Sequence, residues 1–133
     1  AYKLAVMTQI ILVDDDTTNV ELIKMLLELD GFSVAACTDI KQATQVAQSA
    51  PVDAFIIDHH LSRDESGLDL LRSIRAGQTG GTSSVPVIMT SGDDRRADEA
   101  LAAGASTFLL KPYPPTTLTE TLQSLLTKGA THG

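Results

Sequence analysis

The chain has 133 residues, 43% of them apolar, and a formal net charge of −7. That length suits one domain burying roughly two-thirds of its unfolded surface, with no need for disulfides or a structural metal. The acidic balance argues against a nucleic-acid partner, which wants a basic face, and no apolar stretch nears the about 18 residues of a membrane span.

Residues 1–8 read as a leader or linker. They lack the long apolar core of a signal peptide and do not begin with Met, which fits a fragment or a processed or extended chain. The run Ile10–Val13 has the length of a buried strand and ends at Asp14, Asp15 and Asp16. Val20, Ile23, Leu26 and Leu27 then recur at helical spacing, and Gly31 supplies a stop. A strand is expected over Phe32–Ala36, followed by Cys37, a lone thiol that reads as a small buried hydrophobe. Asp39 is the expected N-cap of a helix through Val46 and Ala47, which Pro51 ends.

The strand Asp53–Ile57 leads into Asp58. Ser66 is the expected cap of the next helix, whose apolar face carries Leu68, Leu71 and Ile74, and residues 77–84 form a long polar loop. The strand Pro86–Thr90 leads into Ser91. Asp93, Asp94, Arg95 and Arg96 read as an N-cap and solvated first turn of a helix bearing Ala97, Ala100 and Leu101. The strand Ser106–Leu110 leads into Lys111-Pro112, and Pro114-Pro115 opens a last helix with Leu118, Leu122, Leu125 and Leu126. Residues 9–128 thus read as one domain and 129–133 as a flexible tail.

Five β-rich runs alternating with helical stretches imply an α/β fold: a doubly wound, five-stranded parallel sheet with helices on both faces. In such a sheet ligands bind at the C-terminal ends of the strands. Asp14, Asp15, Asp58, Ser91 and Lys111 all stand at those ends. Clustered carboxylates repel unless a cation neutralises them, and an all-oxygen ligand set selects a hard ion, Mg²⁺ or Mn²⁺. A carboxylate can also attack a phosphoryl group directly, with a metal and an ammonium spreading the charge. His59 and His60 do not make a zinc site, because adjacent residues point apart and no Cys or third His is near.

The ordered set resembles the receiver domain of two-component response regulators: an acidic pair (Asp14, Asp15), an Asp after the third strand (Asp58), Ser91-Gly92 after the fourth, and Lys111-Pro112 after the fifth. The segment from Ala103 to Tyr113 carries the strongest part of the likeness. The resemblance implies a flavodoxin-like fold and Asp58 as phosphoacceptor, served by a histidine kinase or histidine phosphotransfer domain. It implies Asp15 as a direct metal ligand, Asp14 acting mainly through water, and the backbone carbonyl of His60 as a further ligand. It also implies Ser91 and Lys111 on the phosphoryl oxygens, Ser91 and Phe108 as the switch pair, and a cis Lys111–Pro112 bond. The domain would be a cytoplasmic signalling switch, catalysing its own phosphorylation and slow dephosphorylation rather than turning over a substrate.

Two departures stand out. The loop from His59 to Gly67 lacks the usual Pro and is one residue longer, a variant that resembles receivers attached to hybrid histidine kinases. The paired acids found before the Lys in one class of DNA-binding regulators are missing, which weakens the case for their particular dimer and leaves a homodimer open. Two other readings remain. One is a pure interaction module of the same fold, which would normally lack a site residue. The other is a haloacid dehalogenase-type phosphohydrolase, whose opening motif Asp14-Asp15-Asp16-Thr17-Thr18 fits with Asp14 as nucleophile.

Overall fold

The central apolar runs fold into strands buried on both faces, which is why they read as continuous rather than alternating. The computed structural model describes residues 8–62 and 64–131. The strands are β1 (Gln9–Val13), β2 (Ser33–Cys37), β3 (Ala54–Asp58), β4 (Val87–Ser91) and β5 (Thr107–Leu110). Between and after them lie α1 (Thr17–Leu29), α2 (Ile40–Ser49), α3 (Gly67–Arg75), α4 (Ala97–Ala102) and α5 (Pro115–Thr131), with a 3-10 turn, Asp94–Arg96, before α4. Helix α5 runs past residue 128, where the domain was expected to end. Most of the expected leader (residues 1–7), the tail residues 132 and 133, and Arg63 lie outside the described residues.

All five strands are parallel, in the order β2-β1-β3-β4-β5. The helices divide between two cores. Val20, Ile23 and Leu27 of α1 and Leu118 and Leu122 of α5 pack on Ile10, Leu12, Ile56 and Ile88. On the other face, Ala43 and Ala47 of α2, Leu70, Leu71 and Ile74 of α3 and Ala100 of α4 pack on Ile11, Val13, Phe55, Ile57 and Met89. The chain reverses direction across the sheet at β1, which opens a crevice between the C-terminal ends of β1 and β3.

Local chemistry sets the helix starts. Asp16 accepts the N–H of Asn19 (3.1 Å), Asp39 that of Gln42 (2.8 Å) and Ser66 that of Leu68 (3.2 Å), caps worth about 1 kcal/mol each. Gly31, at φ +95°, takes the left-handed turn that ends α1.

Strands β2, β3 and β4 each sit one residue later than their apolar runs suggest. The ladder carries on through the polar residue: Asp58 pairs in register with Thr90, and Ser91 with Leu110. Asp58 and Ser91 are therefore the last residues of strands, held by the sheet. Leu101, one of the apolar residues the sequence puts in this helix, is 48% exposed, because α4 is only six residues long and buries Ala100 alone.

At the opposite end of the sheet, one side chain from the end of α3 ties two loops together. Arg75 donates from Nε to the Gly104 carbonyl (2.8 Å) and from one terminal nitrogen to the carbonyls of Ser83 (2.8 Å) and Val85 (2.7 Å). Arg75→Met should lower the free energy of unfolding by about 2 kcal/mol, because carbonyls lose charged donors. Urea unfolding measures this, and a loss below about 0.5 kcal/mol would mean that water replaces the guanidinium freely.

Candidate active-site crevice

The acidic residues following β1 and the last residue of β3 meet across the crevice. Asp14, Asp15 and Asp58 each present a carboxylate oxygen within 4.8 Å of the others. Asp14 is 3% exposed and Asp58 8% exposed, while Asp15 is half-buried. The backbone of Asp14 extends the ladder, donating to the Cys37 carbonyl at 3.0 Å. Its side chain is fully engaged: Oδ1 accepts the Asp16 N–H (3.0 Å), and Oδ2 accepts from Asn19 Nδ2 (3.0 Å) and Lys111 Nζ (3.2 Å). Lys111 Nζ also lies 3.3 Å from Asp58 Oδ2. The ammonium thus bridges two carboxylates, and the Lys111–Pro112 bond beside it is cis.

Burial pushes the Asp58 carboxyl above its ordinary range. Lys111 and the His60 N–H pull it down, and the charge of Asp14 adds to the rise. Burial alone would depress Lys111, but Asp58 and Asp14 outweigh it and hold the ammonium charged. Three carboxylates facing one ammonium are short of positive charge. Their close oxygens form a ligand set that fits a hard divalent cation such as Mg²⁺.

Ser91 is buried at the end of β4, and its Oγ accepts the Asp93 N–H at 3.0 Å, turned toward the following loop. The Lys111 N–H donates to the Ser91 carbonyl at 2.8 Å, which locks the ends of β4 and β5 together. Phe108 is half-buried against the α2–α4 core. The two histidines separate just past β3: His59 is buried and His60 exposed. The loop after β3 closes without a proline. Leu61 N–H donates to Glu65 O (3.0 Å), and the Glu65 carboxylate accepts the Ile40 N–H (3.2 Å) at the start of α2. Gly67 N–H donates to His59 O at 2.8 Å.

Three residues have roles that were not read from the sequence. Asn19 orients Asp14, and its place five residues on, in the first turn of α1, was the available signal. Gly67 allows α3 to abut β3: a Cβ there would collide with the Asp58 carbonyl oxygen. His59 pairs with Glu99 of α4 at 3.0 Å, forty positions away, and no local pattern announces it. That hydrogen bond, with the charge of Arg96, holds the Glu99 carboxyl below its ordinary range.

The response regulator receiver domain profile matches residues 10–123. The chain belongs to the response regulator receiver domain family. Among relatives, it is 38% identical over 107 residues to the regulatory protein VirG of Agrobacterium tumefaciens (strain 15955), covering 78% of this chain and 38% of VirG. It is 31% identical over 125 residues to the transcriptional regulatory protein CpxR of Escherichia coli (strain K12), covering 92% of this chain and 51% of CpxR. The chain therefore spans about half or less of these relatives.

Among solved structures, the receiver domain of the sensor histidine kinase PA1611 from Pseudomonas aeruginosa PAO1, with magnesium coordinated in its active-site cleft, superposes with TM-score 0.79. It is 30% identical, with 90% of this chain and 98% of that one covered. A CheY-like receiver from Methanospirillum hungatei JF-1 superposes at 0.84 with 25% identity, covering 96% of this chain and 99% of that one. Receiver domains of this family bind Mg²⁺ in the acidic pocket and interact with histidine kinases or phosphotransfer proteins, and they are not enzymes in the usual sense. Among the described residues of this receiver, no helix is long and apolar enough to cross a membrane.

Two predictions follow from the crowding. The raised Asp58 pKa means that its charged form opposes folding: the cost is absent below the unfolded pKa and fully present above the folded one. Asp58→Asn should therefore raise the melting temperature of metal-free protein at pH 7 by about 3 °C, with the gap closing toward about pH 4. Equal melting at pH 7 would remove burial as the dominant influence. Gly67→Ala should cost about 2–3 kcal/mol by overpacking and slow phosphorylation. Wild-type stability would show that the β3–α3 junction relaxes freely.

Proposed function

We propose that this receiver takes a phosphoryl group from a phosphohistidine, on a histidine kinase or histidine phosphotransfer domain, onto Asp58. The observation that carries this reading is the asymmetry between the two buried acids. Both oxygens of Asp14 are engaged by neighbouring donors, whereas Asp58 shares only the Lys111 ammonium and the His60 N–H. Asp58 is the freer nucleophile, which disfavours the phosphohydrolase reading with Asp14 as attacking group.

One Asp58 oxygen attacks phosphorus as the P–N bond breaks. The imidazole departs with the bonding electrons and takes a proton from solvent, leaving an acyl phosphate on Asp58. Lys111, already poised between Asp14 and Asp58, meets the charge gathering on the phosphoryl oxygens. Asp15, Asp58 and the His60 carbonyl, with Asp14 through water, would hold Mg²⁺ (or Mn²⁺), which supplies positive charge beside those oxygens. The Ser91 hydroxyl leaves the Asp93 N–H and donates to a phosphoryl oxygen, and Phe108 moves inward behind it. Phosphorylation thereby shifts a pre-existing equilibrium that is read out on the α4 side. Water slowly cleaves the acyl phosphate, releasing inorganic phosphate and restoring Asp58.

A groove of about 280 Å³ between α1 and α5 joins Lys111 and Asn19 to Leu22, Leu26 and Leu118. That apolar margin beside the crevice supports a protein as phosphodonor. The proline-free loop and the likeness to a sensor kinase's receiver support a place in a larger protein, such as a hybrid histidine kinase or regulator. The unpaired buried Cys37 suits a reducing cytoplasm.

Incubation with acetyl phosphate, read by intact mass, tests the assignment. Wild type should gain one phosphoryl group only with Mg²⁺, Asp58→Asn should gain none, and Lys111→Met should slow labelling about 100-fold. No gain by wild type would favour a pure interaction module. A gain retained by Asp58→Asn and lost in Asp14→Asn would restore the phosphohydrolase reading.

A further inference from the structure

Helix α4 is weakly anchored. It has six residues, no side-chain cap at its start, one buried residue in Ala100, and an exposed Leu101. Its firmest polar tie is to the phosphoacceptor strand. His59 directly follows Asp58, and its backbone is fixed by the Thr90 carbonyl, which accepts the His59 N–H at 2.8 Å, and by the Gly67 N–H. Its side chain, 10% exposed, meets Glu99 Oε1 at 3.0 Å.

Glu99 is also reached by Arg96 (3.3 Å), and Arg96 lies 3.7 Å from Asp93. The Asp93 backbone N–H is the group that occupies Ser91 Oγ. These contacts run in a chain from His59, next to Asp58, through Glu99, Arg96 and Asp93 to the hydroxyl that serves the phosphoryl group. Among the side-chain ion pairs of this chain of contacts, only His59–Glu99 has a buried partner, so it is the pair least weakened by solvent.

We propose that His59 is a positioning residue that acts through Glu99. The pair latches α4 and the preceding loop in the resting arrangement, with Ser91 Oγ turned toward Asp93 and away from Asp58. The inference rests on the reading of Asp58 as phosphoacceptor and Ser91 as a phosphoryl contact. Releasing the latch enlarges the fraction of molecules whose hydroxyl is free to turn, and labelling quickens in proportion.

Phosphorylation by acetyl phosphate is measured for wild type, His59→Leu, His59→Gln, Glu99→Ala and the double variant His59→Leu/Glu99→Ala, with Mg²⁺ affinity determined separately for each. His59→Leu and Glu99→Ala should each label about fivefold faster, at the low end of couplings between sites, with Mg²⁺ affinity unchanged. The double variant should label no faster than either single, as expected for two halves of one contact. His59→Gln, whose amide still donates to Glu99, should stay near the wild-type rate. Amide resonances of residues 92–96 in the unphosphorylated protein should move alike in both single variants.

Glu99 is a surface residue, so its variant reports even where His59→Leu folds poorly. Wild-type rates in Glu99→Ala, multiplicative effects in the double variant, or rate changes tracking lost Mg²⁺ affinity would each overturn the latch while leaving Asp58 as acceptor. Failure of wild type itself to label would overturn the reading of Asp58 and the latch with it.

Discussion

The central constraint in this receiver is the crowding of three carboxylates around one ammonium in a crevice largely closed to water. Like charges at that spacing raise one another's energy, and burial deepens the cost for Asp58. Lys111 relieves part of it by bridging Asp14 and Asp58. The remainder is an affinity for positive charge held in reserve, which a divalent cation answers. The same imbalance makes the crevice responsive: a phosphoryl group adds negative charge where the local electrostatics already lack compensation, so nearby donors are drawn in.

A mobile chain could not sustain that arrangement, so the sheet carries it. Asp58 is the last laddered residue of β3, and Asp14 continues the pairing of β1 with β2. Gly67 then lets α3 close against the β3 carbonyl, where any side chain would collide. Positions that serve the chemistry are here positions that cost stability, a trade frequent in functional sites. The cost is offset elsewhere by strands buried on both faces and by the Arg75 tie at the far end of the sheet.

Rigidity is unevenly distributed. Two apolar layers clamp β1, β3 and β4, while α4 rests on one alanine and a few polar contacts. Segments that move in switching are drawn from the less stable end of a fold. The thin anchoring of α4, next to Ser91 and Phe108, puts the weakest packing where a change of charge at Asp58 is most easily transmitted. Membership in the receiver family fits this division between a stiff acidic crevice and a yielding neighbour.

The sequence by itself determined the alternation of strands and helices, the parallel sheet with helices on both faces, the helix caps at Asp39 and Ser66, and the convergence of Asp14, Asp15, Asp58 and Lys111. Each of these follows from short-range periodicity, turn chemistry and the rule that parallel strands gather their C-terminal ends. Only the tertiary structure decided which strand residue came last, which is why β2, β3 and β4 run one residue beyond their expected ends: a ladder bond depends on the neighbouring strand. It also decided that Asn19 and Lys111 share one oxygen of Asp14, that Gly67 stands where no Cβ fits, that Leu101 faces outward, and that His59 meets Glu99. These are contacts between residues distant in the chain or set by how elements abut, and their energies arise only once the sheet and helices have packed.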